Sequence, residues 1–284
     1  MTIKAQDVKE LREKTGLGMM ECKKALEQAN GNIDDAIKNL RKSSALKAEK
    51  KASRTAVEGI ITSNISKKEI IFVEVNCETD FVAKDENFIN FCEETLKVAV
   101  EASSEDNLLN VVSENMEKQR MSLVQKIGEN IIIRKVKKIT GEVLESYIHS
   151  NKKIAAGVSL EQGSPEIAKE VAIHIAATNP IVLSPEDLDE SYINSEREIF
   201  RSQVEKENKP EEIKEKMIQG KLNKQLADVS LLKQAFVKDP SKTVEAFLSE
   251  SNAKISSFIR IEVGEGIEVE KKDFAEEVQS QLKS

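Results

Sequence analysis

The hydrophobic pattern changes period across one acidic turn, and that change dictates the local fold on both sides of it. Ile70, Ile71, Phe72, Val73 and Val75 form a run rich in β-branched residues. Such residues pack well on a pleated, buried surface, so the run predicts a strand. Downstream, Phe88, Phe91, Cys92, Leu96 and Ala99 recur at helical spacing, the stripe of an amphipathic helix. Between them lies Asn76-Cys77-Glu78-Thr79-Asp80-Phe81-Val82-Ala83-Lys84, the corner where strand becomes helix. Thr79 and Asp80 both suit a helix N-cap, because their side-chain oxygens can accept from orphan backbone N–H groups. Phe81 follows at once, which puts a large apolar side chain on a polar turn. Two readings of Phe81 stand. It precedes Phe88 by seven residues, so an unbroken helix through both makes it part of the buried stripe, and periodicity alone favours this. Asp85, however, reads as a second helix start, which leaves residues 78–84 as a separate turn with its own orientation.

Upstream, residues 1–40 predict three short helices. Val8 and Leu11 mark the first, ending at Thr15-Gly16. Met19, Cys22, Ala25, Leu26 and Ala29 mark the second, stopped by Asn30-Gly31, a C-cap signal. Asn32 caps the third, with Ile33, Ala36, Ile37 and Leu40 on one face. A bundle this small resembles the ubiquitin-associated fold and is marginal alone; such bundles are docking modules. Met19 and Met20 near the first loop read as an adaptable contact surface, with core packing the alternative for Met20. Lys42, Lys47, Lys50, Lys51 and Arg54 then form a basic run. It invites a nucleic-acid reading; the preferred one is a solvated helix end and linker, since Ala45, Leu46, Ala48 and Ala52 keep helical propensity through the join.

From Val57 the pattern is mixed. Residues 57–65 and 69–75 are two strands around Ser66-Lys67-Lys68, a hairpin signal. After the helix to about Ala102, a second helix over 107–127 is stopped by Gly128-Glu129-Asn130, and residues 131–139 predict a strand. The order then repeats: strand 143–149, a turn with paired lysines, strand 154–160, helix 165–177. Ile255, Ile259, Ile261 and Val263 share one face of a last strand that completes the second sheet. Between these lie two charged helices, 190–208 and 211–227, joined at Lys209-Pro210, with Pro210 suited to the first helical position. Ile193, Phe200 and Val204 are expected to face Ile213, Met217, Leu222 and Leu226 in a projecting antiparallel coiled-coil hairpin. Residues 273–282 form a last short helix carrying Phe274 and Val278, packed on the body or offered to a partner. The expected class is α+β: a bundle with basic linker at 1–54, a first α+β subdomain at 55–140, a second at 141–189 with 229–263, the coiled coil at 190–228 inserted into it, and a C-terminal module at 264–284.

Composition bounds the function. A chain of 284 residues allows two or three domains of roughly 100–150 residues. With 33% charged residues, 39% hydrophobic, 4% aromatic and no Trp, it suits a soluble, helix-rich protein with modest cores. A formal charge of −7 argues against a dedicated nucleic-acid binder, which needs a basic surface to displace counterions. Cys22, Cys77 and Cys92 form no CxxC pair and read as small buried hydrophobes in a reducing compartment. Residues 1–13 lack a signal-peptide core, and no run approaches the ~20 apolar residues of a membrane span, so a cytoplasmic protein is expected. No phosphate-binding glycine loop, nucleophile elbow or metal-ligand cluster is present. His149 ends a strand, and His174 in an apolar helix reads as structural. No catalytic residue, cofactor or metal is expected. Three classes of function remain: an exchange factor for a GTPase, a ribosome- or RNA-associated protein using residues 42–54, and an enzyme, which no residue supports.

A family resemblance favours the first. Glu78-Thr79-Asp80-Phe81-Val82 closely resembles the signature turn of bacterial translation elongation factor Ts. Thr15-Gly16-Leu17-Gly18-Met19-Met20-Glu21-Cys22-Lys23-Lys24-Ala25-Leu26 resembles that family's N-terminal signature. Lys126-Ile127-Gly128-Glu129-Asn130, His174-Ile175-Ala176-Ala177-Thr178-Asn179-Pro180 and Val263-Gly264-Glu265-Gly266 match in order. Five motifs in series across nearly the whole chain are specific where one alone is weak. The resemblance implies a protein that binds elongation factor Tu, GDP-bound and nucleotide-free, and speeds GDP release. It places the N-terminal bundle and C-terminal helix on the partner's nucleotide-binding domain and the second α+β unit on a more distant one. It maps the exchange turn, which dislodges the partner's Mg²⁺, to Thr79, Asp80, Phe81 and Val82. Ile127 and His149 occupy positions resembling further contacts, to which Met19 and Met20 are added as surface candidates. It implies neither a membrane nor a small-molecule substrate, and no nucleic acid is expected.

Overall fold

The computed structural model describes residues 3–268. By internal packing the described residues divide into two units, one of residues 3–62, 73–137 and 262–268, the other of residues 63–72 and 138–261. The class is α+β, helices with small sheets.

The first unit opens with helices α1 (Ala5–Thr15), α2 (Met19–Gln28) and α3 (Ile33–Lys51). Gly16 closes α1 in the left-handed region at φ 68°, which costs glycine little. The Asn32 side chain accepts from the N–H groups of Asp34 and Asp35 at 3.0 and 3.2 Å and so starts α3. Val8, Leu11, Leu17, Cys22, Ala25, Leu26, Ala36 and Leu40 form one buried cluster. Burying each of the larger aliphatic chains contributes about 1.5–3 kcal/mol. Met19 does not join its helix's buried stripe: Met19 and Met20 are 60% and 75% exposed. The third helix is longer than a short-bundle reading implies. It absorbs most of the basic run, with Ser44 and Ala48 buried along it.

Strands β1 (Glu58–Ile65) and β2 (Glu69–Cys77) form the hairpin, closed by the Ser66 N–H on the Glu69 carbonyl at 2.8 Å. At Gly59 a Cβ would lie 2.1 Å from the Val75 carbonyl oxygen, so only glycine lets the strands approach this closely. Helices α4 (Glu86–Glu101) and α5 (Leu108–Ile127) follow, then β3 (Ile132–Thr140), giving the sheet order β1-β2-β3. Glu74 in β2 is fully buried; its carboxylate accepts from Arg134 at 3.0 Å and from the Gly264 N–H at 3.0 Å, with Lys135 at 3.4 Å. A buried carboxylate requires such partners, and they tie the start of the last signature stretch to the sheet.

In the second unit β4 (Val143–Ile148) pairs antiparallel with β5 (Ile154–Gln162), from Val143 opposite Leu160 to Ile148 opposite Ala155. Helix α6 (Pro165–Thr178) follows, and β8 (Lys254–Glu262) lies beside β5, giving the order β4-β5-β8. Both three-stranded sheets therefore consist of a hairpin and a later strand laid beside its second member. Between α6 and β8 lie α7 (Glu190–Glu205) and α8 (Glu211–Asp228). Contacts of Tyr192 with Gln225 and Arg201 with Glu215 run in opposite chain directions, so the pair is antiparallel. The seam differs from the expected one. Val204, Ile218 and Leu222 are buried, whereas Ile213 is 46% exposed. At 100° per residue, Ile213 stands about 140° around the helix from Ile218, off the stripe that Ile218 and Leu222 define. Pro210 sits one place earlier than expected, at the N-cap.

Residues 229–250, without an element in the sequence reading, carry β6 (Ala235–Phe236), β7 (Asp239–Thr243) and α9 (Val244–Glu250). Leu231, Phe236, Val244 and Leu248 join Val158, Leu160, Val171, Ala172, Ile175 and Ile255 in the second unit's core. The helix expected over residues 273–282 lies outside the described residues.

Candidate functional site

The turn after β2 is not the first turn of α4. Asp85 has extended backbone at φ −69°, ψ 134°, and its carboxylate accepts from the N–H groups of Asn87 and Phe88 at 2.8 and 3.4 Å. The Asn87 side-chain amide also donates to it at 2.9 Å, and this bond first, then the backbone ones, hold the Asp85 carboxyl below its ordinary range. Asp85 is therefore the N-cap of α4, and a separate 3-10 turn, Val82–Lys84, precedes it. With the helix broken there, Phe81 leaves the stripe that ends at Phe88. Its side chain is 81% exposed while Phe88 is fully buried, so the buried-stripe reading of Phe81 is overturned. Ala83 supplies the buried contact of the segment.

The turn owes its shape to a carboxylate distant in sequence. Glu129 Oε2 accepts from the Glu78 N–H at 3.0 Å and the Thr79 N–H at 3.1 Å; its Oε1 accepts from the Thr79 hydroxyl at 2.7 Å. The Thr79 Oγ1 in turn accepts from the Val82 N–H at 3.4 Å, and the Cys77 thiol donates to the Thr79 carbonyl at 3.2 Å. The reciprocal bond runs from the Asn130 N–H to Glu78 Oε1 at 2.6 Å. Asn130 is buried, and its amide donates to the carbonyls of Arg54 at 2.8 Å and Ala52 at 3.3 Å. Lys51, at the end of α3, donates to the Gly128 carbonyl; burial and then the neighbouring Arg54 charge push its pKa down. Gly128 ends α5 at φ +90°, a conformation that aims the next two residues at the turn. On the outer side Asp80 and Lys84 pair at 2.8 Å, a bond that raises the lysine's pKa.

Ile127 is half-buried at the last position of α5, two residues before Glu129. His149 is exposed just past β4, its Nδ1 3.1 Å from the Tyr147 hydroxyl. His174 is fully buried, with Nδ1 accepting from the Val237 N–H at 3.1 Å and Nε2 2.9 Å from Gln234 Oε1. Lys51, Glu129 and Asn130 were not singled out individually as site residues by sequence reasoning. Lys51 was visible only as part of the basic run, and Glu129 and Asn130 as a glycine stop within a family-like stretch; no periodicity links these to a turn 50 residues away from Glu129. Among the described residues no group of three or more His, Cys, Asp or Glu is placed to hold a metal ion, and no helix is long and apolar enough to cross a membrane.

Comparison with known proteins gives the family. The family model described as elongation factor TS matches residues 78–265, beginning at the first residue of the clamped turn. An elongation factor Ts of Teredinibacter turnerae is 51% identical over 287 aligned residues, covering 99% of this chain and 98% of its own. That of Hahella chejuensis is 48% identical over 283 residues, and that of Francisella tularensis subsp. novicida 48% over 287, each covering 99% of both chains. With a family model across most of its length and relatives this similar from end to end, the chain belongs to the elongation factor Ts family.

Proposed function

We propose that the chain is a guanine-nucleotide exchange factor of translation elongation, which binds elongation factor Tu carrying GDP and hastens GDP release so that GTP can load. The observation that carries this reading is Phe81, an aromatic ring exposed at the tip of a turn whose backbone is held by charged hydrogen bonds. A GTPase holds its nucleotide through backbone N–H groups, a lysine and a Mg²⁺ ion bridging phosphate oxygens and protein ligands. An exchange factor must bind best to the form whose nucleotide site is disturbed, and linkage then makes nucleotide and factor weaken each other equally. The Phe81 ring enters an apolar crevice near the metal and shifts the element that carries its ligands. Mg²⁺ tolerates little departure from octahedral geometry, so a small shift releases it. Thr79 and Val82 shape the turn, and Asp80 orients it through Lys84 or pairs with a basic group on the partner.

In this reading residues 1–54 are a docking module that presents Met19 and Met20. Residues 55–140 and 141–189 with 229–263 are two related core subdomains, Ile127 and His149 are further contacts, and residues 190–228 and 264–284 are an inserted hairpin and a C-terminal module. The alternative, RNA binding by residues 42–54, loses support because three of its cations are engaged, Lys47 by Glu21, Lys51 by the Gly128 carbonyl and Arg54 by Glu78. The test is release of fluorescent GDP from Tu against excess unlabelled nucleotide. The full chain is expected to accelerate release, and residues 55–284 to do so only at higher concentration. An unchanged rate with the full chain, or tight stoichiometric GDP binding by the chain itself, would contradict the proposal.

A further inference from the structure

We infer that Glu129 is the positioning residue of the exchange turn, the group that makes the ring of Phe81 an effective wedge. The inference rests on the assignment of residues 79–82 as the element that acts on the partner. The β2 ladder ends at Cys77 and α4 begins at Glu86, so residues 78–81 lie between regular elements. Phe81, almost wholly exposed, contributes little packing of its own. The backbone that carries it is set instead where three donors, the N–H groups of Glu78 and Thr79 and the Thr79 hydroxyl, converge on one carboxylate. Bonds to an ionised acceptor are short and strong, and they fix direction.

Glu129 is itself firmly held. On one side Gly128 ends α5 and its carbonyl takes the Lys51 ammonium; on the other, Asn130 is bonded to Glu78 Oε1 and to the carbonyls of Ala52 and Arg54. The support therefore runs from the ends of two helices, α3 and α5, through one carboxylate to the turn. A group that must displace part of another protein works only if its own mount is stiffer than what it moves, and such sites depend on the shell behind them. On a loose turn the ring still finds its crevice, but ordering the turn consumes binding free energy that would otherwise oppose the nucleotide.

The test compares Glu129→Ala, Phe81→Ala and the double variant in full-length protein at saturating concentration over Tu carrying fluorescent GDP. Bonds of this kind carry enough free energy that Glu129→Ala is expected to slow GDP release on the order of tenfold. Amide hydrogen exchange at Glu78 and Thr79 should quicken in the same variant. In the Phe81→Ala background the substitution should have little further effect, because a positioning residue acts only through what it positions. Thr79→Val, which removes one donor to Oε1 together with the weaker bond from the Val82 N–H, should show a smaller loss in the same direction; it decides the matter if Glu129→Ala melts far below the parent. If Phe81→Ala slows release while Glu129→Ala and Thr79→Val do not, the inference is overturned. Equal losses from Glu129→Ala with and without Phe81 overturn it as well. If Phe81→Ala itself leaves release unchanged, the assignment of the turn fails first, which is a distinct result.

Discussion

At His174 two neighbours settle the charge of a buried imidazole. Its Nδ1 accepts from a backbone N–H, so the proton sits on Nε2 and is donated to Gln234 Oε1. Gln234 Oε1 also accepts from the Thr178 hydroxyl, and its amide donates to the Asp228 carbonyl, which completes a network suited to the neutral ring. Burial pushes the pKa below the ordinary histidine value, and the bond to Gln234 only partly opposes it. The unfolded chain therefore binds the proton more readily. The stability that this site contributes is fully present above the unfolded pKa of about 6.5 and is lost as pH falls below it. Removing the titrating group in His174→Gln should lower the melting temperature at neutral pH but make its decline between about pH 7.5 and pH 5.5 shallower than the parent's. Melting curves at the two pH values check this, and parallel declines would show that His174 does not titrate in that window.

At the scale of elements, what was legible in the sequence was periodicity. The hairpin at residues 58–77, the strand-helix order of the second unit and its closing strand beside β5 all lie within a residue or two of their expected bounds, since alternation and turn chemistry are local. The Asp85 cap was legible too, as a second helix start bonded to the nearby Asn87 and Phe88, but it competed with a stripe that Phe81 otherwise matches. Two things were not local. The seam of α7 and α8 depends on a helical phase that sparse apolar residues define poorly, which is why Ile213 was placed inside. The β6–β7 ribbon is held by the core around Leu231 and Val244 and by no pattern of its own; β6 has two residues. The α7–α8 pair buries Val204, Ile218 and Leu222, while Arg201, Lys216 and Lys214 make exposed ion pairs within or between its own helices, each worth little. Replacing residues 190–228 by a short flexible linker is accordingly expected to retain most exchange activity on Tu. A loss as large as that from Phe81→Ala, in the same assay, would show that the hairpin takes part.

At the scale of the whole chain, four of the five signature stretches lie in the first unit; the second and third are bonded to each other, and the first and last to residues beside them. Glu21, in the first stretch, accepts from Gln125 of α5 at 2.8 Å. Glu129, in the third, holds the turn of the second, and the Gly264 N–H of the last is bonded to Glu74 beside Arg134. Spacing along the chain suggested one family; only the folded structure makes these stretches one support, with Phe81 as its exposed point. The central claim is that this ring acts on the partner and not on the protein's own stability. It is tested most directly by Phe81→Ala, measured for GDP release from the Tu complex, for affinity to nucleotide-free Tu and for melting temperature. The account predicts a GDP release rate that falls far more than the affinity does, with an unchanged melting temperature; a variant that melts several degrees lower while exchange per folded molecule stays at the parent's level would contradict it.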